Sequence, residues 1–149
     1  MNKSKKLKNI LGTELEACSF QPITGYARDG YCRPIEGDYG DHLVCATMDK
    51  SFLDFTKSKG NDLSSVVKDG DKWCLCQKRW QQAYDAGYAP QVVKEATHKA
   101  VKQNIQKKIK EGMRGGKNLK KTRKYRRKNN ASRKKKHTLR DFFSFLIPK

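Results

Sequence analysis

Acidic residues all but disappear from the end of this 149-residue chain: between Arg114 and Lys149 there is one, Asp141, against 15 Lys and Arg. A segment so short of counter-charge and of apolar side chains cannot build a core, because like charges repel and little is available to bury. Long hydrophobic runs are missing as well. The longest, Phe142 to Ile147, is interrupted by Ser144, too short to span a bilayer. The basic start MNKSKKLKNILG lacks the apolar run of about 7 to 15 residues that a secretory signal carries. A soluble, intracellular and unsecreted chain is expected, nuclear or virion-associated if its cations decide where it goes. The five cysteines, Cys18, Cys32, Cys45, Cys74 and Cys76, are odd in number and irregular in spacing, which fits reduced thiols better than a disulfide framework. Catalytic signatures are absent: no CxxC, no nucleophile elbow, no readable pair of carboxylates, no dinucleotide fingerprint, and no P-loop spacing around Gly115-Gly116-Lys117-Asn118. No motif therefore supports an enzyme, and no cofactor is expected.

What remains is divided by charge. Residues 1–8 hold four lysines and no acid, whereas residues 9–98 hold ten Lys or Arg against thirteen acids, although the whole chain is +19. An acidic globule with cationic arms implies that the arms have a separate job. Length allows one domain of roughly 90 to 110 residues, enough to fold alone. The expected organisation is a basic arm over 1–8, one domain over 9–112 and a basic tail over 113–149.

Within that domain, residues 12–41 are rich in Gly, Asp, Pro and Thr and read as loops and short extended pieces, where a site could be built. His42 to Met48 reads as a strand. Asp49 or Ser51 caps a helix through Phe52, Phe55 and Lys59 that Gly60-Asn61 stops. Lys72 to Cys76 is a second strand, and Gln77 to Ala86 a helix closed by Gly87. Pro90 is placed to open a third helix with Val92, Val93, Ala96 and Ala100 on one face, continuing through Ile105 and Ile109. The fold class expected is α+β: short antiparallel strands with about three helices, followed by a disordered or extended basic tail.

Six separated clusters occur in the order found in one family: Gly12-Thr13 with Leu15 and Cys18; Thr24-Gly25-Tyr26 with Arg28-Asp29-Gly30; His42 with Val44-Cys45-Ala46; Phe52, Phe55 and Gly60-Asn61-Asp62-Leu63-Ser64; Gly70-Asp71 with Trp73-Cys74-Leu75-Cys76 and Arg79-Trp80; and Ala89-Pro90 with Ala96-Thr97-His98. Over about residues 9–100 the chain resembles the domain of unknown function family 2237. The resemblance implies a small mixed α+β domain and supplies no reaction. It also marks two departures: Tyr31 stands before Cys32 where the family usually has a second cysteine, and the segment from Leu63 to Gly70 is shorter than is typical.

The candidate reactive residues are Cys45, Cys74, Cys76, His42, Arg28 and Asp29. On a strand, Cys74 and Cys76 face together with Cβ atoms too far apart for a mutual disulfide. Buried free cysteines behave as small apolar residues, so reduced, metal-free Cys45, Cys74 and Cys76 are expected. The alternatives are thiol chemistry, or a metal gathered by these thiols with His42 or His98. His42 and Cys45 face opposite sides of a regular strand. His98 is expected to be structural, Trp73, Trp80 and Tyr84 to be core, and Arg28 to pair with Asp29 across its own turn rather than to hold a substrate anion.

In the tail, Lys120, Lys121, Arg123, Lys124, Arg126, Arg127 and Lys128, then Arg133, Lys134, Lys135 and Lys136, with Tyr125 as a stacking ring, form the expected nucleic-acid interface. Such a run neutralises phosphates without reading bases, so DNA or RNA binding should be non-specific. Import into a nucleus, or an anionic membrane or acidic protein, are the other readings. A long Lys/Arg tail after Gly115-Gly116 is similar to the basic C-termini of many proteins of large DNA viruses. Beyond it, Leu139, Phe142, Phe143 and Leu146 share one helical face and resemble the peptide with which replication proteins bind a sliding clamp, although Lys136 stands where that peptide has Gln. Docking back on the chain's own core is the competing outcome, and a structural accessory role is a further reading of tail and plug together.

Overall fold

The computed structural model describes residues 6–112. Strand β1 (Val44–Thr47) is central in a three-stranded antiparallel sheet of order β2-β1-β3, with β2 at Lys72–Leu75 and β3 at Gln91–Val92. Helix α1 (Lys50–Ser58) follows β1, α2 (Gln77–Ala86) follows β2, and α3 (Gln103–Glu111) closes the domain. This is the α+β class. Among the described residues no helix is long and apolar enough to cross a membrane.

The elements begin and end where local chemistry dictates. The Asp49 carboxylate accepts from the Phe52 backbone N–H at 2.8 Å, filling one of the donors that a helix start leaves unpaired. At the other end of α2, Gly87 takes the left-handed conformation (φ 84°) and its N–H returns to the carbonyls of Ala83 and Tyr84.

Alternation along β1 gives the sheet two different faces. Val44 and Ala46, with Trp73, Leu75 and Val92 of the neighbouring strands, join Phe52, Trp80, Ala83, Ile105 and Ile109 in the main core. Trp73 and Trp80 are thus buried as expected, and Tyr84 packs against the same cluster, stacked on Trp80 with ring centroids 5.2 Å apart. Cys45 and Cys74 belong to a second, smaller cluster with Cys18, Cys32 and Ala96. The Gly- and Pro-rich segment before β1 contains no helix or ladder strand, only isolated bridges such as Phe20–Ile23 and Cys32–Thr97. It is held by scattered backbone bonds, such as Gly30 N–H to the Thr24 carbonyl, and by side chains: buried Asn9 donates to the carbonyls of Glu14 and Glu95 and accepts the N–H groups of Leu11 and Thr13. Gly25 (φ 93°) is required there, since a Cβ would lie 2.5 Å from the Tyr31 carbonyl oxygen.

One expected helix is displaced. The stretch from Pro90 does not begin a helix: Gln91–Val92 is β3, a 3-10 turn covers Lys94–Ala96, and α3 starts only at Gln103. Val92 pairs with Ala46 on the remaining edge of β1, so a non-local ladder wins over helical spacing.

Candidate functional site

Two places on the domain gather reactive side chains, and Cys74 belongs to both. The first is the cysteine cluster. The β1–β2 register sets Cys45 opposite Cys74, yet neither bonds the other. Cys45 is bridged to Cys18 and Cys74 to Cys32, with Cα separations of 5.7 and 5.3 Å, inside the span that disulfides occupy. This corrects the expectation of reduced thiols at Cys45 and Cys74. Their partners come from the irregular segment, 27 and 42 residues away, where neither cysteine count nor spacing points to them. All four are buried, and the Sγ atoms of Cys18, Cys32 and Cys45 lie within 4.8 Å of one another. The backbone at three of the four is tied independently of sulfur. Cys18 N–H donates to the Gly30 carbonyl at 2.7 Å, Cys45 N–H to Thr97 Oγ1 at 3.1 Å, and Cys74 N–H to Thr24 Oγ1 at 2.9 Å.

The second place is an open cleft of about 200 Å³ lined by Gly40, His42, Trp73, Cys74, Cys76 and Arg79, among others. Cys76, the one free cysteine, is half-buried and occupies the N-cap position of α2. His42 Nδ1 lies 2.7 Å from Asp38 Oδ1, and the His42 backbone N–H donates to Asp38 Oδ2 at 2.9 Å. The Asp38 side chain is almost wholly buried. Burial alone would raise its pKa, but the bonds from the His42 N–H and ring, and from the Gly40 N–H, outweigh that and hold it below the usual carboxylate range. Because the Asp38 carboxylate accepts, the contact fixes the orientation of the imidazole and leaves Nε2 as the ring nitrogen not bonded to Asp38. The ring rests on the backbone of Gly40, where a Cβ would meet His42 Cε1 at 2.6 Å, and stacks on Tyr26 with centroids 6.2 Å apart. An oriented imidazole, a thiol at a helix start and the Arg79 guanidinium thus share one cleft. No hydrogen bond joins Cys76 to His42 among the described residues. The Asp38–His42 pair was not visible in the sequence, where its only trace is an i, i+4 spacing inside a loop.

Arg28 and Asp29 do not pair as expected. The Arg28 guanidinium donates to the Gly25 carbonyl at 2.6 Å and sits 5.0 Å over the Trp73 ring. Asp29 instead accepts from Arg33 Nε at 2.6 Å and from the Tyr31 N–H. Burial pushes the Asp29 pKa up, but these partners bring it below its ordinary value. Both side chains are spent on holding the loop together. The tail residues expected to meet nucleic acid, Lys120 to Lys136, and the apolar set Leu139, Phe142, Phe143 and Leu146 lie outside the described residues.

His98 is structural, as expected. It is buried, its N–H reaches the Leu43 carbonyl, and its Nδ1 accepts from the Ala100 N–H at 3.0 Å. Burial, and then the charge of Lys99, hold its pKa below the ordinary 6.5. The unfolded chain therefore takes up this proton first on acidification. The stabilisation is complete above about pH 6.5 and declines as pH falls toward the depressed folded value. Melting temperatures between about pH 7.5 and 5 should fall less for His98→Gln than for the wild type. An identical decline in both would show that His98 does not carry the linkage.

Among curated proteins none matches the chain. Residues 8–112, well over half of the chain and nearly all of the described domain, match the family described as an uncharacterised protein conserved in bacteria. The two-faced sheet, its cysteine cluster and the His42 cleft all lie inside those limits, and the chain belongs to that family, domain of unknown function 2237.

Proposed function

We propose that the protein is a sequence-indifferent nucleic-acid-binding protein in which the cationic tail carries the affinity and the family domain is the cargo it tethers. The supporting observation is where the charge lies. Residues 8–112 hold sixteen Lys and Arg against fourteen acids, whereas the rest of the chain holds eighteen against one. A nearly balanced globule gives weak attraction to phosphate, while a run such as Lys120 to Lys136 releases condensed counterions on every phosphate it meets. A particle that packages nucleic acid is a compartment in which such a tail and the two disulfides are compatible. In competition assays, duplexes of two unrelated sequences and a single-stranded RNA should displace a labelled duplex from the full chain, the duplexes with affinities within about threefold of each other. Discrimination of a hundredfold or more between the two duplexes would refute the reading.

A second reading places thiol chemistry at Cys76, with the tail only locating the protein, and the Asp38–His42 pair in the same cleft supports it. With Cys45 and Cys74 bonded, Cys76 alone retains a thiol, and His42 is the base that would take its proton. Iodoacetamide should modify the oxidised full chain once, at Cys76, with a rate on the order of tenfold lower in His42→Ala. Equal rates in the two proteins would remove this reading.

A further inference from the structure

We propose that Cys18, Cys32, Cys45 and Cys74 form a tetrathiolate site for a zinc-class divalent metal when the chain is reduced, so that metal and disulfides are alternative cross-links of the same four residues. The four sulfurs are gathered as two adjacent disulfides in one buried cluster. Four sulfurs around zinc at about 2.3 Å stand roughly 3.8 Å apart, and three of these Sγ atoms, drawn from both disulfides, already lie within 4.8 Å. The fourth, Cys74, is bonded to Cys32 and sits opposite Cys45 in the ladder. Once both S–S bonds are opened, χ1 rotation at each cysteine is the freedom that would spread the four sulfurs onto a tetrahedron.

The framework does not depend on the sulfur bonds alone. The N–H groups of Cys18, Cys45 and Cys74 are anchored to Gly30, Thr97 and Thr24, and Cys32 bridges to Thr97. In a reduced chain that holds or regains this fold, these bonds would set the four thiols together in a space otherwise lined by Ala96 and Val93. A soft cation suits such a site, because its two positive charges offset half of the thiolate charge and its preference is for sulfur. The balance is simple. Each S–S bond takes two electrons from the reductant: a dithiol gives them with its two protons and becomes a disulfide, whereas a phosphine becomes its oxide as water supplies the oxygen and the two protons. The four resulting thiols then lose their protons to solvent as four metal–sulfur bonds form.

The full chain, reduced with a phosphine under anaerobic conditions and desalted, is titrated with cobalt(II). One equivalent should bind, giving thiolate-to-cobalt charge transfer and tetrahedral ligand-field bands that an equivalent of zinc abolishes. The Cys32→Ser variant should lose the bands and at least tenfold in affinity, Cys76→Ala should keep both, and the oxidised chain should take up none. If the reduced chain has lost its fold, zinc should restore the far-ultraviolet circular dichroism of the oxidised protein. A folded reduced chain that gives no thiolate–cobalt bands, a reduced unfolded chain that zinc leaves unfolded, or bands that vanish in Cys76→Ala would each overturn the proposal.

Discussion

Removing the Cys18–Cys45 bridge as Cys18→Ala/Cys45→Ala, in metal-free buffer, is expected to lower unfolding stability by about 3 kcal/mol, and opening both bridges to remove most of it. Cross-linking residues 27 and 42 apart takes entropy from the unfolded chain worth roughly 3.5 and 4 kcal/mol in the chain-entropy account. The two loops overlap in sequence, so their effects are not additive. Against the about 5 to 15 kcal/mol that holds a typical domain together, either bridge is a large share. The segment before β1 has the most to lose, because it packs on its face of the sheet through a cluster of four cysteines and Ala96. Urea unfolding midpoints of the two single-bridge variants and of Cys76→Ala make the comparison. Cys76→Ala should stay within about 0.5 kcal/mol of wild type, as expected of a half-buried side chain outside any bridge. A loss below about 1 kcal/mol for both bridge variants would mean that the segment is held by its hydrogen bonds instead.

That dependence explains which parts of the fold could be read from sequence. Strand β1, helix α1, strand β2 and helix α2 are all local statements: alternating apolar residues, Asp49 as a cap, Gly60 and Gly87 as stops. Each element sits within two residues of its expected limits. Gln91–Val92 failed because Val92, Val93 and Ala96 suit a helical face as well as a strand, and only the unpaired edge of β1 decides between them. The disulfides failed for the same reason on a larger scale. Cys45 and Cys74 alternate with core residues on their strands and read as core themselves, while their partners occupy a segment with no periodicity. The candidate cleft was half legible. His42 and Cys76 were among the candidate residues and Arg79 was not, while Asp38 is brought to His42 Nδ1 by a loop whose course follows from backbone hydrogen bonds, such as Asp41 N–H to the Asp38 carbonyl.

Ending the chain at Gly112 should lower its affinity for random-sequence duplex by at least on the order of a hundredfold at about 100 mM salt, while leaving the melting temperature of the domain within about 2 °C. The cut removes 15 Lys and Arg and one acid and takes the formal charge from +19 to +5. What remains is the arm at Lys3, Lys5, Lys6 and Lys8 and a domain in which some cations are matched, as in Lys57–Asp62 and the half-buried Lys108 with Asp85. Such surface pairs contribute little to stability, but each leaves one cation less to attract phosphate. A truncated chain that keeps its affinity would move the binding surface into the domain. A large fall in melting temperature would show that the tail, including Phe142 and Phe143, docks on the core.

The division of labour between domain and tail is tested most directly by the slope of log affinity against log salt, measured side by side for the full chain and the chain ending at Gly112. If about half of the tail's 15 cations meet phosphates, the full chain should show a slope near −6 or −7 and the truncated chain one no steeper than about −2. Equal slopes for the two chains would contradict the account.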